Sequence, residues 1–235
     1  MSDGSKARSL EKCVIAVAGA AGGLGPTVVH QLAEAGATLE VAGRDRTRLE
    51  VLGVGEASAV DLLDEAATRA WVDGIVVRHE RVDGLVHLVG GWRGGTPIEE
   101  QPPEDWEWLE DMLVRTLHNV TRAFTPYLVA SGRGRFVVVS PGQAQAPTSG
   151  NASYAAAKAA AETWTLALAD RFRGTGATAN IVVVGSILTE AMRAEKPGEP
   201  YPGATPAEEI AEAIAYLCSD AAASMNGQRL VLRGA

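Results

Sequence analysis

The stretch Val14–Pro26, VIAVAGAAGGLGP, joins a short apolar run to a glycine-rich turn and a proline. The first five residues are apolar and include two valines and one isoleucine, which is typical of a strand buried on both faces. The four glycines that follow permit a sharp turn, and a proline favours the first turn of a helix. The stretch therefore predicts a strand, a tight turn and a helix in immediate succession.

A glycine-rich turn in this setting is suited to binding a phosphate group. Glycines let the backbone approach a pyrophosphate closely, and the N-terminus of a helix offers unpaired N–H groups and a partial positive charge. Such a loop alone is a weak signal, but its position between the first strand and the first helix favours cofactor binding over a purely structural turn. We therefore expect a dinucleotide site at residues 18–25.

Outward from this stretch, compact β-branched runs alternate with longer amphipathic stretches. The runs predict strands at Val14–Ala18, Thr38–Ala42, Ala57–Val60, Leu85–Val89, Phe136–Val139, Ile181–Val184 and Leu230–Leu232. Apolar residues at helical spacing predict helices at Leu24–Ala35, Asp64–Arg78, Pro103–Ala130, Ser153–Arg173 and Pro206–Ser219.

This alternation predicts an α/β fold made of repeated βαβ units. Such units favour right-handed crossovers and a Rossmann-type, doubly wound parallel sheet in three αβα layers. We expect a single domain over residues 1–235, with a flexible N-terminus at residues 1–11. The segment Pro197–Thr205 is rich in proline and glycine and is predicted to be a surface loop or lid.

The composition excludes several classes of protein. Hydrophobic residues make up 46% and charged residues 21% of 235, as in soluble globular proteins. The net charge of −8 opposes binding to nucleic acid or to an anionic membrane, and no apolar run is long enough to span one. Two distant cysteines, Cys13 and Cys218, and an opening stretch without an apolar core predict a cytoplasmic protein. Four scattered histidines predict no metal site.

Tyr154 and Lys158 are four residues apart near the start of a predicted helix, so both side chains project from one face. A nearby ammonium group favours the phenolate, and we therefore expect Lys158 to lower the pKa of Tyr154 and make it a general acid or base. Without further context, the pair is more simply an exposed Tyr and Lys on an alanine-rich helix.

The glycine spacing Gly-x3-Gly-x-Gly, together with Tyr154 and Lys158, resembles the short-chain dehydrogenase/reductase family. Other landmarks of the family recur in order along almost the whole chain: Asp61, Gly90, Gly185, Thr189 and Asn226–Gln228. The resemblance implies a hydride transfer between a nicotinamide cofactor and a small-molecule carbonyl or alcohol, with Tyr154 exchanging the proton and Lys158 also holding the nicotinamide ribose. It also implies a homo-oligomer, either a dimer or a tetramer, and a short substrate lid at residues 189–205.

The resemblance carries the cofactor-binding role onto a set of positions spread over the predicted sheet edge. These are Gly19, Ala21, Gly23, Leu24, Gly25, Arg44, Asp61, Leu62, Val89, Gly90, Tyr154, Lys158, Gly185, Ile187 and Thr189.

Two positions of the family's catalytic set differ in this chain. The catalytic serine, thirteen residues before Tyr154, falls on Pro141, and the catalytic asparagine falls on Leu113. Ser140 is one residue away and could act only if the strand end is twisted, because neighbouring strand residues face opposite ways. We retain Ser140 as a candidate catalytic residue.

Loop residues supply further candidates for the pocket. Gln143, Thr148 and Ser149 are polar replacements for the missing hydroxyl, and Trp92 follows the fourth strand as a candidate pocket wall with Gln143. His87 stands where the family has an asparagine, and we expect a neutral core histidine bonded to a backbone carbonyl.

The second strand ends at Gly43-Arg44-Asp45. An acidic residue at this tip would bind the ribose diol of NAD, whereas arginine is suited to the 2′-phosphate of NADP. The acidic position falls on Gly43, so Arg44 favours NADP, although the glycine turn has Gly22 where NADP users often carry a second basic residue. NAD remains open if the register shifts and Asp45 takes the acidic role.

Two functions follow from these residues. The first is an NADP-preferring oxidoreductase that acts through Tyr154 and Lys158. The second is a nicotinamide-binding sensor or scaffold with little or no dehydrogenase activity, for which Pro141 and Leu113 are the motivation. A different reaction on the same scaffold is a third, because a fold does not determine a function.

Overall fold

A parallel sheet forms the centre of the computed structural model, which describes residues 9–234. Its seven strands are β1 Val14–Ala18, β2 Thr38–Gly43, β3 Glu56–Ala59, β4 Gly84–His87, β5 Arg135–Pro141, β6 Thr178–Val184 and β9 Arg229–Val231. They lie in the order β3-β2-β1-β4-β5-β6-β9, and β7 Ser186–Leu188 pairs separately with β8 Ala204–Pro206. The predicted Rossmann-type sheet is confirmed.

Helices cover both faces of this sheet. They are α1 Gly25–Glu34, α2 Arg46–Glu50, α3 Glu65–His79, α4 Pro103–Glu110, α5 Thr116–Ala130, α6 Ala152–Arg171, α7 Glu190–Glu195 and α8 Ala207–Cys218. One apolar core joins the sheet to α3, α5 and α6, and a second joins it to α1 and α8. The chain therefore has the predicted three αβα layers.

The start of β6 differs from the prediction, because this strand begins with buried residues that include polar ones held by hydrogen bonds. Strand β6 starts three residues before the predicted Ile181, and Thr178, Ala179 and Asn180 are all buried. The Asn180 amide donates to the Met225 carbonyl at 2.7 Å and accepts the Gln228 N–H at 3.0 Å, so a polar side chain is satisfied inside the sheet. A search for apolar runs misses such residues.

The helix predicted at Pro103–Ala130 is continuous but not uniform. A π-helical turn at Asp111–Arg115 separates α4 from α5, and Leu113 lies at its centre. The short elements α2, α7, β7 and β8 were not predicted, and β8 covers the end of the predicted loop Pro197–Thr205.

The predicted flexible N-terminus falls mostly on residues 1–8, which lie outside the described residues. For Leu10 the prediction is wrong, because its side chain is fully buried and its N–H donates to the Ala35 carbonyl at 2.8 Å. Within residues 9–234, every helix is too short or too polar to span a membrane. The cytoplasmic location stays a prediction.

The strand order places a crevice at the carboxyl ends of β1 and β4. These strands are neighbours in the sheet, yet β1 leads to α1 on one face and β4 leads toward α4 and α5 on the other. Connections that leave adjacent strands in opposite directions open a ligand-binding crevice in doubly wound sheets.

We expect Phe124→Ala to destabilise the protein by about 3–5 kcal/mol. Phe124 is fully buried, and its ring makes an edge contact with Trp71 at a centroid distance of 5.1 Å. Urea unfolding measures the loss. Val77→Ala is the control because Val77 is 83% exposed, and it should change stability by less than about 0.5 kcal/mol. A similar effect of the two substitutions would contradict the assigned core.

Candidate active site

The glycine turn between β1 and α1 is built by two close backbone approaches. Gly19 has a φ of +81°, and a Cβ on it would lie 2.8 Å from the Val89 nitrogen. A Cβ on Gly25 would collide with the Ala20 carbonyl oxygen, so a side chain at either position requires the backbone to move. Gly22 and Gly23 are exposed at the N-terminus of α1. The turn therefore fits a bound phosphate group.

A cavity of about 320 Å³ extends from this turn along the sheet edge. Seven of the predicted cofactor-binding residues line it: Gly19, Ala21, Arg44, Asp61, Leu62, Val89 and Gly90. Sequence reasoning missed several further lining residues, among them Arg48, Leu63, Met112 and Thr116. Their positions in the cavity follow from the fold and carry no local motif.

Two arginines stand at the end of this cavity nearest to β2. Arg44 follows the strand directly, and the Arg48 guanidinium reaches across from α2 to donate to the Ala21 carbonyl at 2.8 Å. The Asp45 carboxylate accepts the Arg48 N–H at 3.2 Å and caps α2. Asp45 therefore has a structural role as the N-cap of α2. Arg48 is a second basic residue beside the glycine turn.

The other predicted cofactor-binding residues are not part of the cavity lining: Gly23, Leu24, Gly25, Tyr154, Lys158, Gly185, Ile187 and Thr189. Leu24 and Gly25 are buried beneath the turn. A Cβ on Gly23 would lie 3.8 Å from the Thr189 methyl carbon, so the segment after β7 reaches the turn. Thr189 also caps α7 by accepting the Met192 N–H at 3.3 Å.

Lys158 is buried between α6 and the ends of β4 and β5. Its Nζ donates to the Val139 carbonyl at 3.0 Å, and a Cβ on Gly90 would lie 4.0 Å from this nitrogen. Burial lowers the pKa of Lys158 to about 8, although the Glu162 carboxylate acts in the opposite direction. The ammonium group therefore lies beside the backbone of the predicted cofactor site.

Tyr154 is partly buried against an apolar cluster that includes Leu109, Leu113 and Ala157. This burial raises the pKa of Tyr154 to about 12. The pKa of Tyr154 thus lies above its ordinary value, because desolvation of the phenolate dominates, and the lowering of this pKa by Lys158 stays a prediction. Tyr154 is a protonated phenol near neutral pH.

Comparison with known proteins identifies the family. A family model described as enoyl-(acyl carrier protein) reductase matches residues 19–234. The chain belongs to the short-chain dehydrogenase/reductase family. Membership makes it an NAD(P)-dependent oxidoreductase, as the sequence predicted.

Relatives and solved structures of this family are similar over most of their length. Sulfoacetaldehyde reductase 2 of Chromohalobacter salexigens is 29% identical over 86% of this chain and 87% of its own. A 3-oxoacyl-[acyl-carrier-protein] reductase of Thermotoga maritima is 27% identical over 96% of this chain and 98% of its own. A short-chain type dehydrogenase/reductase of Mycobacterium ulcerans is 25% identical, with a TM-score of 0.87 over 95% of this chain and 89% of its own.

In this member of the short-chain dehydrogenase/reductase family, the two positions predicted to depart from the family's catalytic set are apolar and buried. Pro141 ends β5, and Leu113 packs in the apolar cluster beside Tyr154. The Ser140 hydroxyl donates its hydrogen bond to the Glu162 carboxylate at 2.6 Å. Neither Pro141 nor Leu113 offers a side-chain hydroxyl or amide.

The loop residues considered as replacements have different positions. Thr148 and Asn151 form a capping box before α6, with the Thr148 N–H donating to the Asn151 side chain at 2.7 Å. The Ser149 hydroxyl accepts the Ile98 N–H at 3.2 Å and ties two loops together. Gln143 is exposed, and Trp92 is 58% exposed, so both stay candidates for the pocket.

His87 is fully buried, but its partner is a side chain rather than the expected backbone carbonyl. Its Nε2 lies 3.4 Å from the Thr116 hydroxyl oxygen, and that hydroxyl donates its proton to the Met112 carbonyl at 2.7 Å. Thr116 can therefore only accept from His87, which assigns the imidazole proton to Nε2. Nδ1 has no partner among residues 9–234. Burial and then the Lys158 charge lower the His87 pKa to about 3.

Acidification should destabilise the protein through His87. Its pKa falls from 6.5 to about 3 on folding, so the unfolded state binds more protons between these values and stability is lost as the pH drops through this window. Between pH 7 and pH 4 the loss should be about 3 kcal/mol. Urea unfolding of the wild type and His87→Gln at both pH values measures it. An equal acid loss in the two proteins would contradict this role.

Proposed function

We propose that the chain reduces a small-molecule carbonyl compound with NADPH, and that Tyr154 donates the proton. The observation that carries this proposal is a protonated Tyr154 one helical turn before a buried Lys158, beside a glycine turn that fits a phosphate. A protonated phenol is the form that can donate a proton to a carbonyl oxygen, and burial alone leaves Tyr154 a weak acid with a pKa of about 12.

The chain's own residues divide the work of this reaction. When bound, NADPH supplies the hydride that reaches the carbonyl carbon. Tyr154 delivers the proton to the carbonyl oxygen, and the Lys158 ammonium stabilises the phenolate that Tyr154 becomes. The glycine turn, Asp61 and Gly90 hold the cofactor along the cavity, with Gly185, Ile187 and Thr189 at its margin. The apolar residues around Tyr154 limit its exposure to water.

The preference for NADPH rests on the arginines at the β2 end of the cavity. Arg44 and Arg48 both line this end, and guanidinium groups form paired, charge-assisted hydrogen bonds with phosphate oxygens. Asp45, the acidic alternative that would favour NADH, caps α2 by accepting the Arg48 backbone N–H with one of its two carboxylate oxygens. Asp45 and Asp61 line the same cavity, so the preference rests on the two guanidinium groups at the β2 end rather than on a net positive charge of the lining.

Named relatives support a carbonyl substrate. They include a sulfoacetaldehyde reductase, 3-oxoacyl-[acyl-carrier-protein] reductases and acetoacetyl-CoA reductases. A 3-ketoacyl-(acyl-carrier-protein) reductase of Brucella melitensis, 25% identical with a TM-score of 0.86, was solved with NADH. We place the substrate near Trp92 and Gln143, and we propose that residues 189–205 form a short lid over it.

A second candidate function is cofactor binding with little or no turnover, as in a sensor or scaffold. Pro141 and Leu113 favour it, because one missing hydrogen-bond donor to a developing oxyanion typically costs about 2.7–4 kcal/mol. Ser140 does not restore that donor, since its hydroxyl is bonded to Glu162. We therefore expect a reductase that is slower than one with a complete catalytic set.

We also propose a homo-oligomer that pairs through the outer face of α6. Ala156, Ala160 and Trp164 recur at four-residue spacing on this face, and all three are exposed. Two small residues per two turns allow another helix to approach closely, and an exposed Trp adds apolar area at the same surface.

Tyr154→Phe should lower kcat/KM about 10²–10⁴-fold, because it removes the proton donor. NADPH affinity, measured by calorimetry, should change little, since the ring keeps its packing against Leu113. Steady-state reduction of a panel of aldehydes and ketones tests the wild type and the variant. A wild type that binds NADPH without turnover on the panel would instead support the sensor or scaffold.

Arg44→Ala and Arg48→Ala should each weaken NADPH binding about 10–100-fold, because each removes one charged donor to the 2′-phosphate. NADH affinity should stay within a factor of two or so. Calorimetric titration with both cofactors gives the ratio. Arg46→Ala is the matched control, since Arg46 lies in the same helix but pairs with Glu50 at 2.8 Å outside this cavity. Equal losses for NADPH and NADH would contradict the phosphate contact.

A further inference from the structure

The inner face of α6 carries a third polar residue beyond Tyr154 and Lys158. Glu162 follows Lys158 by four residues, so the three side chains form a line along one face of the helix. Glu162 is only 2% exposed. A carboxylate that is almost fully buried one turn from a buried ammonium group is unusual and requires a physical explanation.

Three donors converge on this carboxylate from other parts of the chain. The Ser140 hydroxyl donates to Oε1 at 2.6 Å from β5, and the Arg229 Nε donates to Oε2 at 2.7 Å from β9. The Gln145 amide donates to Oε2 at 3.2 Å from the loop after β5. Glu162 is therefore held in one position by a cation, a hydroxyl and an amide.

Stability alone does not account for this arrangement. Burying the Glu162 carboxylate costs free energy, the attraction to a 36% exposed Arg229 side chain is screened by water, and apolar residues of similar volume often pack equally well. The α6 surface that faces the sheet is otherwise apolar or small near this point, as Ala161, Thr165 and Leu168 illustrate. What a charged pair can do here, and apolar residues cannot, is act on Lys158.

We propose that Glu162, balanced by Arg229, is a positioning residue that determines the charge state of Lys158. The carboxylate favours the ammonium form of Lys158, and the Arg229 guanidinium, which donates to the same carboxylate, cancels part of that effect. The consequence for catalysis rests on the proposed function, because it is there that the Lys158 ammonium stabilises the Tyr154 phenolate.

The groups that face Lys158 are few. Tyr154 and Glu162 share its helix, His87 faces it from β4, and the uncharged Val139 carbonyl accepts its hydrogen bond from β5. His87 is neutral near pH 7 because burial lowers its pKa to about 3. Glu162 is therefore the nearby anion that supports the charge of Lys158 in the described part of the chain, and burial opposes it.

The proposal predicts shifts of opposite sign in two variants. Glu162→Gln keeps the shape and accepts the Ser140 hydroxyl but removes the negative charge, so the pKa of Lys158 should fall by about one pH unit. Arg229→Gln removes the balancing cation, so the pKa of Lys158 should rise. Arg229→Lys keeps the charge and should restore the wild-type value. A purely structural network would not produce opposite shifts.

The direct measurement is an NMR titration of ¹³Cε-labelled lysines in the purified protein. The chain contains only four lysines, and Lys158→Arg assigns the signal of interest. Glu34→Gln and Arg173→Gln are matched charge controls on exposed residues, and they should leave the Lys158 signal unchanged. Thermal unfolding accompanies each titration. If Glu162→Gln does not fold, the comparison of Arg229→Gln with Arg229→Lys decides the proposal.

The pH dependence of kcat/KM provides a second readout. Its alkaline limb should move down in Glu162→Gln and up in Arg229→Gln, in parallel with the NMR values. Opposite NMR shifts in proteins without measurable turnover would support the coupling while the proposed reductase function fails. An unchanged Lys158 pKa in both variants, or a shift in the same direction accompanied by lost thermal stability, would overturn the proposal.

Discussion

The site depends on the close approach of the glycine turn to the end of β4. A Cβ on Gly19 would lie 2.8 Å from the Val89 nitrogen and 2.9 Å from the Leu88 carbonyl carbon, so the two backbones meet without an intervening side chain. This contact keeps the ends of β1 and β4 together while their continuations separate to opposite faces of the sheet. The cavity, the N-terminus of α1 and the Lys158 ammonium are all positioned around it.

The order of the elements could be predicted because it depends on local properties of the sequence. Strand β1 lies at Val14–Ala18 as predicted, since a short apolar run beside glycines needs no tertiary information to be recognised. The start of β6 could not be predicted in the same way. Asn180 is buried because its amide bonds to Met225 and Gln228, and those partners are distant in sequence. The fold brings these hydrogen-bond partners to Asn180, and the periodicity of the sequence does not reveal them.

In the candidate site, too, some features could be predicted from local sequence and others depend on tertiary structure. Tyr154 and Lys158 could be predicted as site residues from their spacing together with the family resemblance, but the direction of their pKa shifts depends on how the surrounding elements bury them. Arg48 has no motif of its own, and it joins the cavity only because α2 brings it to the Ala21 carbonyl. Ser140 shows the converse, because the sequence places it one residue from the position predicted for the family's serine, while its hydroxyl donates to Glu162. Direction of a side chain is a tertiary property.

The π-helical turn at Asp111–Arg115 lets the two halves of one continuous helical segment pack in two different apolar clusters. A π turn holds one residue more than an α turn, which rotates the following side chains by about 100° relative to an uninterrupted helix. Leu109 can thus contact α6 near Tyr154 while Leu117 and Phe124 contact the sheet. Loss of a single residue from this turn would bring both halves into phase, and the chain could then bury only one of the two apolar surfaces correctly. The length of this segment is consequently as constrained as its composition.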